Sequence, residues 1–153
     1  MKEFDYYIFI DYSEEILGYM IVENIRIKEL LPKISKFGHY RELRHKSSYI
    51  HSIKKRLERD KLREYLFKLK IKKIIDSPEI YADIAVFLKN HNNCIIFISI
   101  DNKQYSNFER LVQVINDKNI RVIKESQLKY GSKEYQMSLV LDTLLNIERL
   151  KRV

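Results

Sequence analysis

The stretch "CIIFISIDN" (94–102) is apolar from Cys94 to Ile100, interrupted only by Ser99, and stops on Asp101. A run of this length without polar alternation, set between "NHNN" and "DN", reads as a central strand buried on both faces. Far upstream, "YYIFIDYS" (6–13) has the same grammar: an Ile- and Phe-bearing run ends on Asp11. If the two strands lie side by side and parallel, their carboxyl ends emerge at one edge, with backbones about 4.8 Å apart. Asp11 and Asp101 would then be neighbours. Two carboxylates that close repel, and a divalent cation such as Mg²⁺ or Mn²⁺, which prefers hard oxygen ligands, is the usual relief. Ligands gather at the carboxyl ends of strands in α/β sheets, which agrees.

The order of the remaining elements supports such a pairing. A polar turn, "DYSEE", and the run "GYMIVEN" (18–24) make a β-hairpin with the first strand. "IRIKELLPKISKF" (25–37) has helical spacing interrupted at Pro32. The basic "HYRELRHK" (39–46) reads as a third strand or extended edge, and "SSY" as the N-cap of a long helix over 49–74. A further helix begins at "DSPEIYADIAVFLKNH" (76–91), with Ser77 as N-cap and Pro78 in the first turn. After the strand at 94–101 come an amphipathic helix over 105–117, a strand over 120–126 and a final helix over 133–151. A hairpin leading into βαβ units implies an α/β domain: a mixed sheet covered by helices. Right-handed crossovers place 94–101 parallel to a neighbour, and the first strand is the expected one. One domain spanning 1–153 is expected from the length.

Composition narrows the class of protein. A hydrophobic content of 45% with 33% charged residues describes a folded chain. The single Cys94 excludes a disulfide framework and a cysteine-based zinc site. Neither a signal peptide nor an apolar run near the roughly 18 residues of a membrane span is present, so a cytoplasmic location is expected. Abundant Lys, Glu and Ile resemble the composition of proteins from hot environments. The net charge of +8 favours a polyanionic partner, nucleic acid.

The final helix supplies a third acid. Apolar residues occupy most of its circumference, and Glu134, Ser138, Asp142 and Asn146 form a narrow polar stripe at i, i+4 spacing. The plain account is the solvated side of an amphipathic helix. Yet other helices here fill their outer faces with Lys, Arg and Glu, whereas Ser, Asp and Asn suit a seam facing a cleft.

With its Asp-ended first strand, hairpin, helical insertion, Asp-ended later strand and Asp-bearing last helix, the chain resembles the ribonuclease H-like superfamily. Within it, "FIDYS" and "KESQLKYGSKEYQMSLVLD" are similar to uncharacterised members that close with a "QLAD"-like helix; here Gln136 lies six residues before Asp142. The resemblance implies a ribonuclease H-like mixed sheet of about five strands with helices on both faces. It also implies Asp11, Asp101 and Asp142 as metal ligands and catalytic residues, with Mg²⁺ or Mn²⁺ as cofactor. Two metals about 3.5–4 Å apart serve phosphodiester hydrolysis or transfer in that chemistry. The superfamily usually adds a Glu early on the helix after the third strand. Glu42 and Glu58 are the candidates, each out of place, and His45 or His51 could stand near the acids.

The stretch 39–73 is the strongest electrostatic feature. Arg41, Arg44, Lys46, Lys54 and Lys55 would contact phosphates, and Tyr40 or Tyr49 could stack on a base. The competing account is an exposed helix laced with i, i+4 ion pairs such as Glu64–Lys68. No P-loop, GxGxxG, HExxH or GxSxG pattern occurs, and no triad surrounds Ser99 or Ser126. The expected function is a divalent-metal-dependent nuclease, or a related phosphoryl-transfer protein, acting on RNA or DNA. A non-catalytic nucleic-acid-binding or assembly module of the same fold is the alternative. A Rossmann-like small-molecule binder ranks third, for want of a glycine-rich loop.

Overall fold

Alternation along the first strand sets the layers of the molecule, a computed structural model that describes residues 3–99, 108–109 and 120–152. In β1 (Tyr6–Ser13), Ile8 and Ile10 join one hydrophobic cluster and Tyr7 and Phe9 the other. Successive side chains of a strand point to opposite faces, so Asp11 shares the face of Tyr7 and Phe9. β1 pairs antiparallel with β2 (Ile16–Glu23) and parallel with β4 (Cys94–Ser99). The register sets Asp11 between Gly18 and Ser99. β3 (Lys68–Lys73) flanks β2, and β5 (Arg121–Lys124) runs parallel to β4, giving a five-stranded sheet of order β3-β2-β1-β4-β5. The parallel pairing expected for the two Ile- and Phe-rich runs is therefore present.

Helices cover both faces. α1 (Asn24–Leu30), α2 (Lys46–Arg59) and α4 (Lys133–Lys151) bury Leu30, Ile53 and Leu141 with Phe9, Met20 and Phe97. On the other face, Ile80, Ile84 and Phe87 of α3 (Ser77–Asn90) pack with Ile8, Ile96 and Phe108. α4 is buried without a break from Met137 to Ile147, which accounts for its nearly all-round apolar sequence. Close approach of α4 to the sheet requires Gly18: a Cβ there would stand 2.9 Å from Ile71 Cγ1 and 3.1 Å from Leu145 Cδ2. Among the described residues, no helix is long and apolar enough to cross a membrane.

The N-cap of α3 is Asp76 and not the expected Ser77, which is already helical, and two longer expectations also need correction. The segment 39–46 is not a strand: it holds a 3₁₀ turn at Tyr40–Glu42 and enters α2 at Lys46, with His45 rather than a serine at the N-cap. Nor does a helix run from 49 to 74. The slip in helical period at Asp60 is a true end, because Asp60 closes α2 and Lys61 turns left-handed at φ 50°. Beyond a short 3₁₀ turn at Leu62–Tyr65 the chain enters β3, where Leu69 and Ile71 alternate with lysines in "KLKIKK" and pack on the α4-side core. Two apolar residues at i, i+2 fit a strand edge as readily as part of a helix turn, so only pairing with β2 decides between them. Of the helix expected over 105–117, only Phe108 and Glu109 are described, both helical.

Candidate functional site

Parity and register bring an acidic row to the carboxyl edge of the sheet. Asp11 of β1 stands opposite Ser99 of β4, and Ile98 stands opposite Lys124 of β5, so the next residue, Glu125, extends the same line. Glu125 lies two positions past Ile123, and Ile123 packs in the α4-side cluster, so Glu125 leaves the strand on the Asp11 face. Ser99 hydrogen-bonds both carboxylates, Asp11 and Glu125. A hydroxyl has one proton to donate, so it can serve only one of them at a time.

Asp142 converges on this row from α4. Its Oδ2 accepts the Tyr40 N–H at 2.9 Å, and it is 8% exposed, as is Asp11. Burial first, then the charges of Glu125 and Asp142, hold the Asp11 carboxyl well above the usual carboxylate range. The Tyr12 N–H, at 2.7 Å from Oδ1, and the Ser99 hydroxyl oppose that rise. Glu125 is raised by burial and by Asp142, against Ser99 and His39. Asp142 is raised by burial, against the Tyr40 N–H and the charges of His39 and Arg41. Three desolvated carboxyls, each pushed toward its neutral form by burial, form a cluster with a negative charge to be compensated.

Cations and a histidine border it. A cavity of about 300 Å³ is lined by Asp11, Ser99 and Asp142 and by His39, Arg41, Lys46 and Arg149. Arg149 donates to Asn146 Oδ1 from Nε and Nη2, at 3.3 and 3.1 Å, and lies 3.9 Å from the Glu14 carboxylate. Tyr40 is flanked by the Arg149 guanidinium and the Lys46 ammonium, each 5.8 Å from its ring centre. His39 Nδ1 is buried without a hydrogen-bond partner among the described residues. The segment carrying these groups is stitched to α4. Gln136 donates to the Ile34 and Phe37 carbonyls at 2.7 and 3.1 Å, and Tyr49 Oη meets Thr143 Oγ1 at 2.7 Å.

Of the residues singled out by sequence, the structure brings together Asp11 and Asp142, with Arg41 and Lys46 beside them. Asp101 lies outside the described residues. Glu42, exposed on the 3₁₀ turn, adds its charge against Asp142 but does not line the cavity. His45, Arg44 and Lys55 are exposed on the surface. Tyr49 is turned inward, its hydroxyl spent on Gly38 and Thr143. Lys54 and Glu58 line a separate, larger cavity of about 490 Å³ with Lys61, Arg63 and Ile147, away from the acids. The helix after the third strand packs on the opposite face, and its early Glu79 is taken by Lys70 at 2.8 Å. Glu125 escapes a sequence reading that seeks the fourth acid on a helix. Its signal is nevertheless present in "RVIKE" (121–125), a third strand-like segment that ends on an acid. Ser99 and Arg149 carry no such signal; only register and helix packing bring them in.

The donor chemistry suits a divalent cation, since the cluster offers hard carboxylate oxygens in a desolvated cleft. Among the described residues, however, no three His, Cys, Asp or Glu side chains are gathered tightly enough to enclose a metal ion.

No protein-family profile matches the chain, and neither does any curated protein sequence. Solved structures do match. The ribonuclease H2 of Pyrococcus horikoshii OT3 superposes with a TM-score of 0.51 at 14% identity, covering 96% of this chain and 76% of that one. The RNase HII of Archaeoglobus fulgidus, solved in complex with PCNA, gives 0.51 at 14% identity, covering 95% and 72%. The chain thus has a ribonuclease H-like α/β fold, a mixed five-stranded sheet with helices on both faces.

Proposed function

We propose that this protein is a divalent-metal-dependent nuclease, or a related phosphoryl-transfer enzyme, acting on RNA or DNA. One observation carries the reading: Asp11, Ser99 and Glu125 align across three adjacent strand ends while Asp142 converges on them from α4. The ribonucleases of like fold support it. Asp11 and Asp142 would supply carboxylates to the Mg²⁺ or Mn²⁺, with Asp101, two residues past Ser99, added on sequence grounds; Glu125 borders the same edge without completing a three-donor grip among the described residues. When bound, such an ion supplies an activated water and stabilises the leaving oxygen. Around it, Arg41, Lys46 and Arg149 neutralise the phosphates of the strand, and the Arg149 fork is held in place by Asn146. The Ser99 hydroxyl donates to Asp11 or Glu125 and favours the ionised form of whichever carboxylate it serves. The Tyr40 N–H fixes the Asp142 carboxylate from the side of the cationic segment.

A second reading, a nucleic-acid-binding module without catalysis, is favoured by the lack of a tight three-donor cluster among the described residues. Labelled RNA, DNA and hybrid strands incubated with Mg²⁺, Mn²⁺ or a chelator separate the two. Metal-dependent cleavage is expected, and Glu125→Gln should lower its rate at least a hundredfold, about 2.7 kcal/mol of barrier. Binding without cleavage in either metal would establish the second reading instead. Cleavage that Glu125→Gln leaves intact would remove the acidic row from the mechanism.

A further inference from the structure

Tyr130 is 87% exposed, yet its position is fixed. It is the second residue of a turn closed by the Ser132 N–H on the Lys129 carbonyl at 3.0 Å. The third residue, Gly131, takes φ +86°, the left-handed value that a type II turn requires there. Ser132 then caps α4 by accepting the Tyr135 N–H at 3.1 Å, and the Tyr130 and Tyr135 rings meet at 5.2 Å with 47° between their planes. The outer ring is thus held by a turn, a helix cap and a second ring, so little ordering remains to be lost when something stacks on it.

Its placement relates it to the acids. Tyr135 and Asp142 are seven positions apart on one stripe of α4, with Ser138 between them. Two helical turns separate them by about 10.5 Å, the span of about three stacked nucleotides. Burial, and then the charges of Glu42, Tyr130, Glu125 and Asp142, hold the Tyr135 phenol above its ordinary value, so the ring stands within reach of the acids' field although it does not line the cavity itself. Exposed Lys129 and Lys133 flank the ring pair and offer contacts to a phosphate backbone.

We propose that the Tyr130–Tyr135 pair is a stacking platform for an unpaired nucleobase of the strand whose phosphate enters the cleft, which makes single-stranded or locally opened nucleic acid the preferred substrate. The inference rests on the nucleic-acid reading above and adds the form of the substrate. Every base has a π-face available only when it is unpaired and unstacked, so a rigid exposed ring discriminates by strandedness and not by sequence. RNA and DNA present the same face.

Binding of fluorescently labelled 12-mers, as single-stranded RNA, single-stranded DNA and blunt duplexes, is measured by anisotropy in chelator, so that nothing is cleaved. Wild-type protein should prefer the single strands. Tyr130→Ala should weaken single-strand binding about five- to tenfold, the low end of base–aromatic stacking, leaving duplex binding and the salt slope unchanged. Tyr130→Phe, which keeps the ring, should bind as wild type. Equal losses on single strands and duplex, or no loss on either, overturn the platform while the nucleic-acid reading stands. Wild-type protein that binds none of the probes overturns both.

Discussion

Replacing Asp11 with Asn preserves the side chain's shape and an acceptor for the Tyr12 N–H while deleting one charge from a desolvated cluster. Folding raises the Asp11 pKa, so its contribution to stability is fully present below the unfolded value of about 3.9 and is lost as pH rises through the higher native value. Asn does not titrate, so the variant should gain on wild type as pH goes from 4 to 8. The shared hydroxyl sets the scale. Carboxylates that both reach the Ser99 hydroxyl lie within about 7 Å of each other, and two unit charges at that distance repel by about 2.4 kcal/mol at an effective dielectric of about 20. For a domain of this size that corresponds to a melting temperature about 5–10 °C higher for Asp11→Asn at pH 8 without metal. At pH 4 the difference should nearly vanish. Mn²⁺ should reverse the order, because a cation at a hundred times its Kd stabilises wild type by about 2.7 kcal/mol and the variant lacks a donor. Melting curves by circular dichroism, at both pH values with and without Mn²⁺, decide the matter. A variant that melts below wild type at pH 8 without metal, or by a pH-independent margin, would refute the picture of a charge-crowded cleft.

The stitching of the cationic segment and the packing of α4 are open to similar tests. Tyr49→Phe deletes the hydroxyl that joins Gly38 to buried Thr143, and urea unfolding should show a loss of about 1–3 kcal/mol. Gly18→Ala puts a methyl 2.9 Å from Ile71 and 3.0 Å from the Lys70 carbonyl, so overpacking of about 1–3 kcal/mol should outweigh the gain of up to about 1 kcal/mol from a stiffer unfolded chain. Equal or higher stability of that alanine variant would show that β2 and α4 can separate without cost.

The sequence by itself determined the elements whose local pattern admits one reading. The run at 94–100 reads as a buried central strand and that at 6–11 as a strand, and the last helix, apolar over most of its circumference, spans Lys133–Lys151, in agreement with the expected 133–151. Strands ending on Asp, together with element order, also sufficed for the parallel pairing that carries Asp11 to the sheet edge. Tertiary structure alone decided the middle of the chain. There "KLKIKK" is a strand because β2 offers it hydrogen bonds, a partner that no local window contains. It likewise decided the site. Glu125 meets Asp11 through the pairing of β4 with β5, and Ser99 comes between them by register. Arg149 and His39 enter only because α4 and the segment before α2 converge on that edge. Periodicity reports which face a residue takes, but which residues of other strands share that face depends on long-range register, which is set by packing.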